Sequence, residues 1–251
     1  MSFNPIKGSR RLVRKLKRFS RPTDVKVTKK IGSRADFVLQ CHRMDKQPVR
    51  LSVPLQKIRI QGAIPIDANH PFVRAINFGP HELRQFYDTF QPSNLAEMYN
   101  LDLEELDGLD LPPWEIPWME RDNRVPPPGE AGLDASHGVS FYGPGTHEKV
   151  ALEQRRLINV RDAIDKAGFQ PDRYGDIEGY GLVSPTDYRF FVRGGKHRLA
   201  ALASLGQADI SVSFRGNWPT AIYSASLDDW PLVANGSIAP KAALAIFNRY
   251  F

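Results

Sequence analysis

The sequence predicts an α+β fold with a mixed sheet, and three observations support this prediction. Alternating apolar and polar residues, many of them β-branched, are typical of strands in residues 31–66 and again in residues 179–214. Apolar residues recur every three or four positions from Lys149 to Ala167, which indicates an amphipathic helix. Between Tyr188 and Gly206 a strand pattern runs through two glycines and a basic triplet into an apolar helix pattern. With a hydrophobic content of 41%, the chain has enough apolar side chains for a substantial core.

Residues 1–30 are predicted to be a basic, partly disordered arm. They contain eleven lysines and arginines against one acidic residue, Asp24, and so carry a net charge of +10. Because the whole chain has a net charge of +6, the other 221 residues sum to −4. Apolar residues at helical spacing in Arg10–Phe19 are consistent with a short amphipathic helix, whose cations would attract an anionic membrane surface or nucleic acid; weak attachment to a membrane is the favoured functional use. A solvated arm without such a role is the alternative.

Residues 31–100 are predicted to form a β-rich extension that also contains a helix. The segments DFVLQCHRM (36–44) and VRLSVPLQKIRIQG (49–62) predict two or three antiparallel strands. A helix is predicted to begin at Pro80 and to carry four apolar residues on one face: Leu83, Phe86, Tyr87 and Phe90. The single cysteine, Cys41, excludes an internal disulfide and a multi-cysteine zinc site, and it fits a reducing compartment.

Residues 101–138 are predicted to be an acidic, proline-rich connector. Residues 101–122 hold eight acidic groups and one basic group, and six prolines fall between Pro112 and Pro128. Trp114 and Trp118 argue against complete disorder, because aromatic side chains tend to be buried. We expect this connector to lie across the surface of the domain.

Residues 139–251 show the clearest pattern and are predicted to form one domain. Its long helix, Lys149–Ala167, is expected to begin after Thr146 as the N-cap and to end at Gly168. Three segments predict strands: Gly179–Val183, Tyr188–Arg193 and Asp209–Phe214. The chain then predicts a C-terminal helix that docks through three apolar residues: Leu244, Phe247 and Phe251.

The motif RGGKHRLAALASLG, Arg193–Gly206, predicts an anion site. The pair Gly194–Gly195 permits positive φ angles and a close approach of backbone to ligand. The first N–H groups of the helix that begins near Lys196 have no intrahelical acceptor and lie at the positive end of the helix dipole. The side chains of Lys196, His197 and Arg198 add donors at the same place. A turn with a basic cap is the simpler alternative.

The order strand, Gly-Gly, Lys-His-Arg, small-residue helix, Leu-Gly and strand resembles the ParB/sulfiredoxin superfamily over about residues 145–215. Sulfiredoxin has a Gly-Cys-His-Arg turn that binds the phosphates of ATP. Residues Gly194–Arg198 match that turn, except that Lys196 stands in place of the cysteine. The resemblance therefore implies phosphate binding by His197 and Arg198 and argues against reduction of a sulfinic acid.

The helix before the motif also has a counterpart in sulfiredoxin-like proteins, where it contributes basic and hydroxyl contacts to the phosphates. For this chain the resemblance implies such contacts from Arg156 and Asn159, which lie three residues apart on one helical face. Ala163 stands at the usual hydroxyl position and departs from the pattern. The first 140 residues resemble neither the ParB-like nor the sulfiredoxin family.

Free-serine kinases of the same superfamily transfer phosphate to a small hydroxyl compound, a reaction that requires a carboxylate base near the acceptor. Four carboxylates are candidates for this catalytic role: Glu148, Glu153, Asp176 and Glu178. The last two lie in the glycine-flanked stretch YGDIEGY, 174–180, where a functional loop is expected. The six histidines are scattered without the spacing of metal ligands, so no metal site is predicted.

Together these features predict a nucleotide-binding phosphotransferase that uses ATP, ADP or CTP, with Mg²⁺ as a possible partner, and acts on a small-molecule or glycan hydroxyl. NHPFVRAINFG, LPPWEIPW and FFVRGGKHRLAALASLG are similar to segments of bacterial proteins encoded with surface-polysaccharide biosynthesis genes. No apolar run reaches the length of a membrane span and no signal sequence is visible, so the expected location is the cytoplasm or the inner face of its membrane. A DNA-binding ParB-like protein and a non-catalytic accessory protein are the alternatives.

Overall fold

The structure is a computed structural model that describes residues 27–43, 49–102, 106–119, 127, 129–216 and 218–251. Within these ranges, seven strands form one mixed sheet and helices pack around it, which confirms the predicted α+β class. The helix predicted for Arg10–Phe19 lies outside the described residues. The last four residues assigned to the basic arm, Val27–Lys30, form a strand.

The regular elements follow the chain in a simple order. The strands are β1 (Val27–Lys30), β2 (Val49–Pro54), β3 (Ile58–Arg59), β4 (Ile177–Val183), β5 (Tyr188–Gly194), β6 (Asp209–Phe214) and β7 (Ala221–Tyr223). The helices are α1 (Arg34–Cys41), α2 (Pro71–Phe78), α3 (Pro80–Thr89), α4 (Leu95–Tyr99), α5 (His147–Ala167), α6 (Pro171–Tyr174), α7 (Lys196–Ser204), α8 (Pro231–Ala234) and α9 (Pro240–Asn248).

The sheet interleaves strands from both ends of the chain in the order β1-β2-β6-β4-β5-β3, and β7 pairs with the second half of β4. The predicted hairpin of β4 and β5 is confirmed as an antiparallel pair. β2 pairs antiparallel with β6, whereas β3 pairs parallel with β5. β2 and β3 therefore do not pair with one another as the predicted antiparallel strands of this region, because each pairs with a strand of the C-terminal half. β1 pairs with β2, but in parallel.

Helix α1 corrects the strand that was predicted for residues 36–44. Ser33 is its N-cap and accepts a hydrogen bond from the backbone N–H of Asp36, with 3.1 Å between the atoms. Phe37 is fully buried and stacks on the ring of Tyr188 at 4.3 Å between centroids. Cys41 is buried at the end of the helix, and burial raises the pKa of its thiol to about 12. The thiol is therefore unreactive at neutral pH, since the thiolate is the nucleophilic form.

The connector contributes a central part of the core, which corrects the expectation that it lies across the surface. Trp118 is buried, and its indole N–H donates to the Tyr180 hydroxyl at 2.9 Å. Its ring contacts Phe191 of β5 and Phe247 of α9 edge-on. Phe247 of α9 is buried as predicted, but Leu244 is only half-buried, and the other buried residues of this C-terminal segment are Ala242, Ala243, Ile246 and Tyr250.

Four helices, α2, α3, α5 and α7, pack against one another and hold the motif in place. Both predicted ends of α5 are confirmed. Thr146 caps its start by accepting from the backbone N–H of Lys149, and Gly168 ends it with a φ of 72°. Helix α3 begins at Pro80 as predicted and buries Leu83 and Tyr87. The packed face of α5 includes two charged residues, Lys149 and Glu153, whose partners belong to the candidate site.

Candidate functional site

The turn from β5 into α7 has the geometry that the motif predicts. Gly195 adopts a left-handed conformation with a φ of 86°, and α7 begins at Lys196. A Cβ atom at position 195 would lie 3.1 Å from the Cα of Ile177, so a larger residue would be both strained and crowded. The first backbone bond of the helix runs from the N–H of Leu199 to the carbonyl of Gly195. The N–H groups of the preceding residues therefore stay available for an anion.

A cavity of about 490 Å³ lies beside this turn, between the second half of α5, helix α6 and the start of α7. We call it the motif cavity. One part of its lining is apolar: Val160, Ala163, Ile164, Gly168, Phe169 and Tyr174. The other part is polar or cationic: Asn159, Gln170, Gly195, Lys196, His197 and Arg198. The structure thus brings five of the predicted binding residues to one cavity, whereas Gly194 and Arg156 lie outside its lining.

Lys196 is half-buried, and its ammonium lies 4.5 Å from the centre of the Phe141 ring. Burial, and then the nearby charge of Arg193, lowers the pKa of Lys196 to about 8, while Glu153 opposes this shift. At neutral pH the side chain is still mostly protonated. It therefore places a positive charge at the helix N-terminus, where an anion would bind.

This pKa predicts a pH dependence for anion binding. Between pH 7.5 and 9.5 the affinity for a nucleotide is expected to fall as the pH rises through about 8, because Lys196 loses its proton. Calorimetric titrations across this range would measure the fall. In Lys196→Arg the guanidinium stays charged, so its affinity should be flat over the same range. Identical pH profiles for the two proteins would show that Lys196 does not contribute the charge.

His197 lines the motif cavity and also faces two buried carboxylates. Its ring stacks on Phe72 of α2, with 5.7 Å between centroids. Its Nε2 atom is buried, has no hydrogen-bond partner among the described residues, and lies 3.5 Å from an oxygen of Glu130 and 3.5 Å from an oxygen of Glu153. His197, which the motif predicts to contact phosphates, is therefore also part of a buried polar cluster with Glu130 and Glu153.

That cluster continues behind the two carboxylates. The hydroxyl of Tyr87, from α3, donates to Glu153, and burial together with the charge of Glu153 raises the pKa of Tyr87 well above its usual value. Arg156 forms an ion pair with Glu130 and donates to the carbonyl of Ala131 at 2.7 Å. The predicted phosphate ligand Arg156 is thus directed at a carboxylate instead of at the cavity.

Lys149 lies on the other side of this cluster and is fully buried. Its ammonium donates to the carbonyls of Ser140 at 3.0 Å and Tyr142 at 3.3 Å, and lies 4.3 Å from the centre of the Tyr87 ring. Burial lowers the pKa of Lys149, and the charge of Glu153 partly restores it. Sequence reasoning did not single out Lys149 or Glu130, since the burial of these two charged side chains is visible only in the fold.

Arg198 has acceptors within the protein. Its Nη1 donates to the carbonyl of Tyr174 at 2.6 Å and also to the carbonyl of Gly175. Burial lowers the pKa of Arg198, and the charges of Asp176 and Glu178 oppose the shift. The guanidinium therefore ties the turn after α6 to the start of α7, and it fixes one side of the motif cavity.

Replacing Arg198 with alanine is expected to destabilise the protein even when no ligand is present. Two backbone carbonyls lose a charged donor, and such bonds contribute about 1.5–3 kcal/mol at buried sites and less where water reaches them. We expect a decrease of about 1–2 kcal/mol in the free energy of unfolding, measured by urea denaturation. A stability equal to that of the wild type would mean that these contacts are not maintained.

All four candidate catalytic carboxylates lie outside the lining of the motif cavity. The side chain of Asp176 is 8% exposed and contacts Arg50 at 2.6 Å, in an ion pair that Asp172 also joins. Glu178 pairs across the sheet with Gly194 of β5. Glu148 is exposed in the first turn of α5, about 16 Å along the helix axis from Asn159. Their catalytic roles stay predictions, and the carboxylate that the fold brings next to the motif is Glu153.

Comparisons with known proteins were made at the level of family models, curated sequences and solved structures. None of them gave a match. The resemblance to the ParB/sulfiredoxin superfamily therefore stays a prediction that rests on the motif residues. Among the described residues, no helix combines the length and the apolar character that a membrane crossing requires.

Proposed function

We propose that the protein binds a nucleotide in the motif cavity and transfers its terminal phosphoryl group to a hydroxyl of a small molecule or glycan in the cytoplasm. The observation that carries this proposal is the polarity of the cavity. It has the N-terminus of α7 with Lys196 at one part of its lining and aromatic and aliphatic side chains at the other. Its volume of about 490 Å³ falls within the range of small-molecule sites.

The cationic part of the cavity fits the phosphates. Backbone N–H groups at a helix N-terminus, the positive end of the helix dipole and a nearby ammonium are the groups that hold phosphates in many nucleotide sites. Asn159 of α5 adds a side-chain amide to the lining. Phosphoryl transfer proceeds mainly through positioning and charge stabilisation, so the enzyme must supply a rigid cationic frame. The bonds of Arg198 to the carbonyls after α6 make this frame rigid.

The apolar part of the cavity fits the base. Phe169 and Tyr174 offer aromatic faces on which a nucleobase stacks, and Tyr174 is 57% exposed. Arg173 lies over the ring of Tyr174 at 5.1 Å and supports it from one side. Gln170 also lines the cavity, and its amide nitrogen donates to the carbonyl of Ala167 at 3.0 Å. The amide oxygen and the second N–H are left for recognition of a base edge.

Two alanines on α5 allow a matched test. Both are exposed, but Ala163 lines the motif cavity whereas Ala167, one turn further on, does not. ATP, ADP and CTP, each with and without Mg²⁺, are added to the wild type, to Ala163→Trp and to Ala167→Trp, and the melting temperature is recorded. At least one nucleotide is expected to stabilise the wild type and Ala167→Trp, but not Ala163→Trp.

Two results would contradict the proposal. One is the absence of stabilisation by any nucleotide, and the other is equal stabilisation of all three proteins. Transfer itself is tested separately, by following loss of the terminal phosphate of the best-binding nucleotide in the presence of candidate hydroxyl acceptors. Nucleotide binding without turnover on any acceptor would instead favour an accessory protein.

A further inference from the structure

We propose that Glu130, Glu153 and His197 form a binding site for one divalent transition-metal ion of the Zn²⁺ or Mn²⁺ class. The three side chains come from the connector, from α5 and from the first turn of α7. One ligand atom from each of them lies within 4.8 Å of the other two. The residues are 23 and 44 positions apart in the chain, so no spacing pattern indicates this site. The site does not depend on the nucleotide proposal, because none of its contacts requires a nucleotide.

The distances within the cluster fit an ion better than hydrogen bonds. The Nε2 atom of His197 is 3.5 Å from one oxygen of Glu130 and 3.5 Å from one oxygen of Glu153. Hydrogen bonds between nitrogen and oxygen are about 2.7–3.2 Å long. In a tetrahedral site with metal–ligand bonds of about 2.0–2.1 Å, neighbouring ligand atoms are about 3.3–3.4 Å apart. An ion between the three atoms would also give the buried, unpartnered Nε2 atom a partner.

The ligand types select the class of ion. Two carboxylate oxygens and one imidazole nitrogen suit Zn²⁺ and Mn²⁺, and three protein ligands leave at least one position open. One of the carboxylates is also oriented from behind, as metal-ligating carboxylates usually are, because Tyr87 donates to the Glu153 oxygen that does not face His197. Because His197 lines the motif cavity and the two carboxylates do not, the ion would lie behind the part of the cavity wall that His197 forms.

The surrounding positive charges set the affinity of this site. Lys149 and Lys196 both interact electrostatically with Glu153, and Arg156 is paired with Glu130. An ion would compete with Arg156 for Glu130. Arg156 can move away from Glu130, since its side chain is 35% exposed and still donates to the carbonyl of Ala131. Removing the charge of Arg156 should therefore strengthen metal binding. If the cluster is only structural, neither the wild type nor the Arg156 variant will bind a metal ion.

The test titrates chelator-treated protein with Zn²⁺ and, separately, with Mn²⁺, in the absence of nucleotide. For the wild type, calorimetry is expected to show that at least one of the two metals binds with one ion per chain. Binding by Glu153→Gln is expected to be about 100-fold weaker, because a residue that binds the metal directly contributes at least as much to the affinity as the residues that support it. Arg156→Gln is expected to bind about fivefold more tightly. Asp165→Asn removes an exposed carboxylate from the same helix and should bind like the wild type.

Several results would overturn this assignment. They are the absence of saturable binding of both ions to the wild type, wild-type binding by Glu153→Gln, and unchanged or weaker binding by Arg156→Gln. If Glu153→Gln fails to fold, His197→Gln at the half-buried cavity wall replaces it, and wild-type binding by that variant has the same meaning. Nucleotide stabilisation is measured independently, so the failure of one proposal is distinguishable from the failure of the other.

Discussion

Replacing Trp118 with alanine is expected to lower the free energy of unfolding by about 3–5 kcal/mol. The side chain is buried, and its ring contacts Phe191, Phe247 and Tyr250, which belong to the sheet and to the C-terminal segment. Its removal leaves a large cavity and also takes away the donor to the Tyr180 hydroxyl. Guanidinium denaturation, monitored by circular dichroism, measures the loss.

Trp114 provides the matched control for this prediction. It lies in the same connector four residues earlier, but it is only half-buried and lines a separate cavity of about 390 Å³. Trp114→Ala is expected to cost less than half as much as Trp118→Ala, because less apolar surface returns to water. Equal losses for the two variants would contradict the central position of Trp118 in the core.

Replacing Lys196 with alanine is expected to weaken nucleotide binding by about 10- to 100-fold, since a hydrogen bond or close contact to a charged group contributes about 1.5–3 kcal/mol. The side chain lines the motif cavity at the start of α7 and remains mostly protonated at neutral pH. The dissociation constant is measured by calorimetry at pH 7 with the nucleotide that stabilises the wild type most strongly.

Lys166→Ala is the control for net charge. Lys166 is exposed in the last turn of α5 and does not line the cavity, so the variant loses one positive charge at a different place. Its affinity is expected to stay within about twofold of the wild type, because exposed charges are screened by salt. If both lysine variants bind equally well, local contact with the phosphates is not the role of Lys196.

The elements with local signals could be predicted from the sequence. Thr146 and Gly168 mark the ends of α5, and the glycine pair marks the step from β5 to α7. Helix α1 was predicted to be a strand, because its apolar run is too short to distinguish the 3.6-residue period of a helix from the two-residue period of a strand. The capping signal of Ser33 followed by Asp36 was available and identifies it as a helix. The place of β2 and β3 in the sheet depends on distant strands and has no local signal.

The candidate site was only partly predictable for the same reason. The residues of the Gly-Gly-Lys-His-Arg motif are contiguous, so a single sequence pattern indicates most of the polar and cationic residues of the cavity lining. Glu153, in contrast, lies in the apolar stripe formed by Val150 and Leu157, where a charged side chain is buried and needs partners. Its partners Tyr87 and Glu130 come from distant segments, and only the fold shows that they meet it.

The most direct test of the nucleotide site is a crystal structure of the wild-type protein grown with Mg²⁺ and a non-hydrolysable analogue of the nucleotide that binds best. We expect phosphate density within hydrogen-bond distance of the first N–H groups of α7, with the base against Phe169 and Tyr174. Density for the analogue at any other place, or a motif cavity without the analogue at saturating concentration, would contradict this expectation.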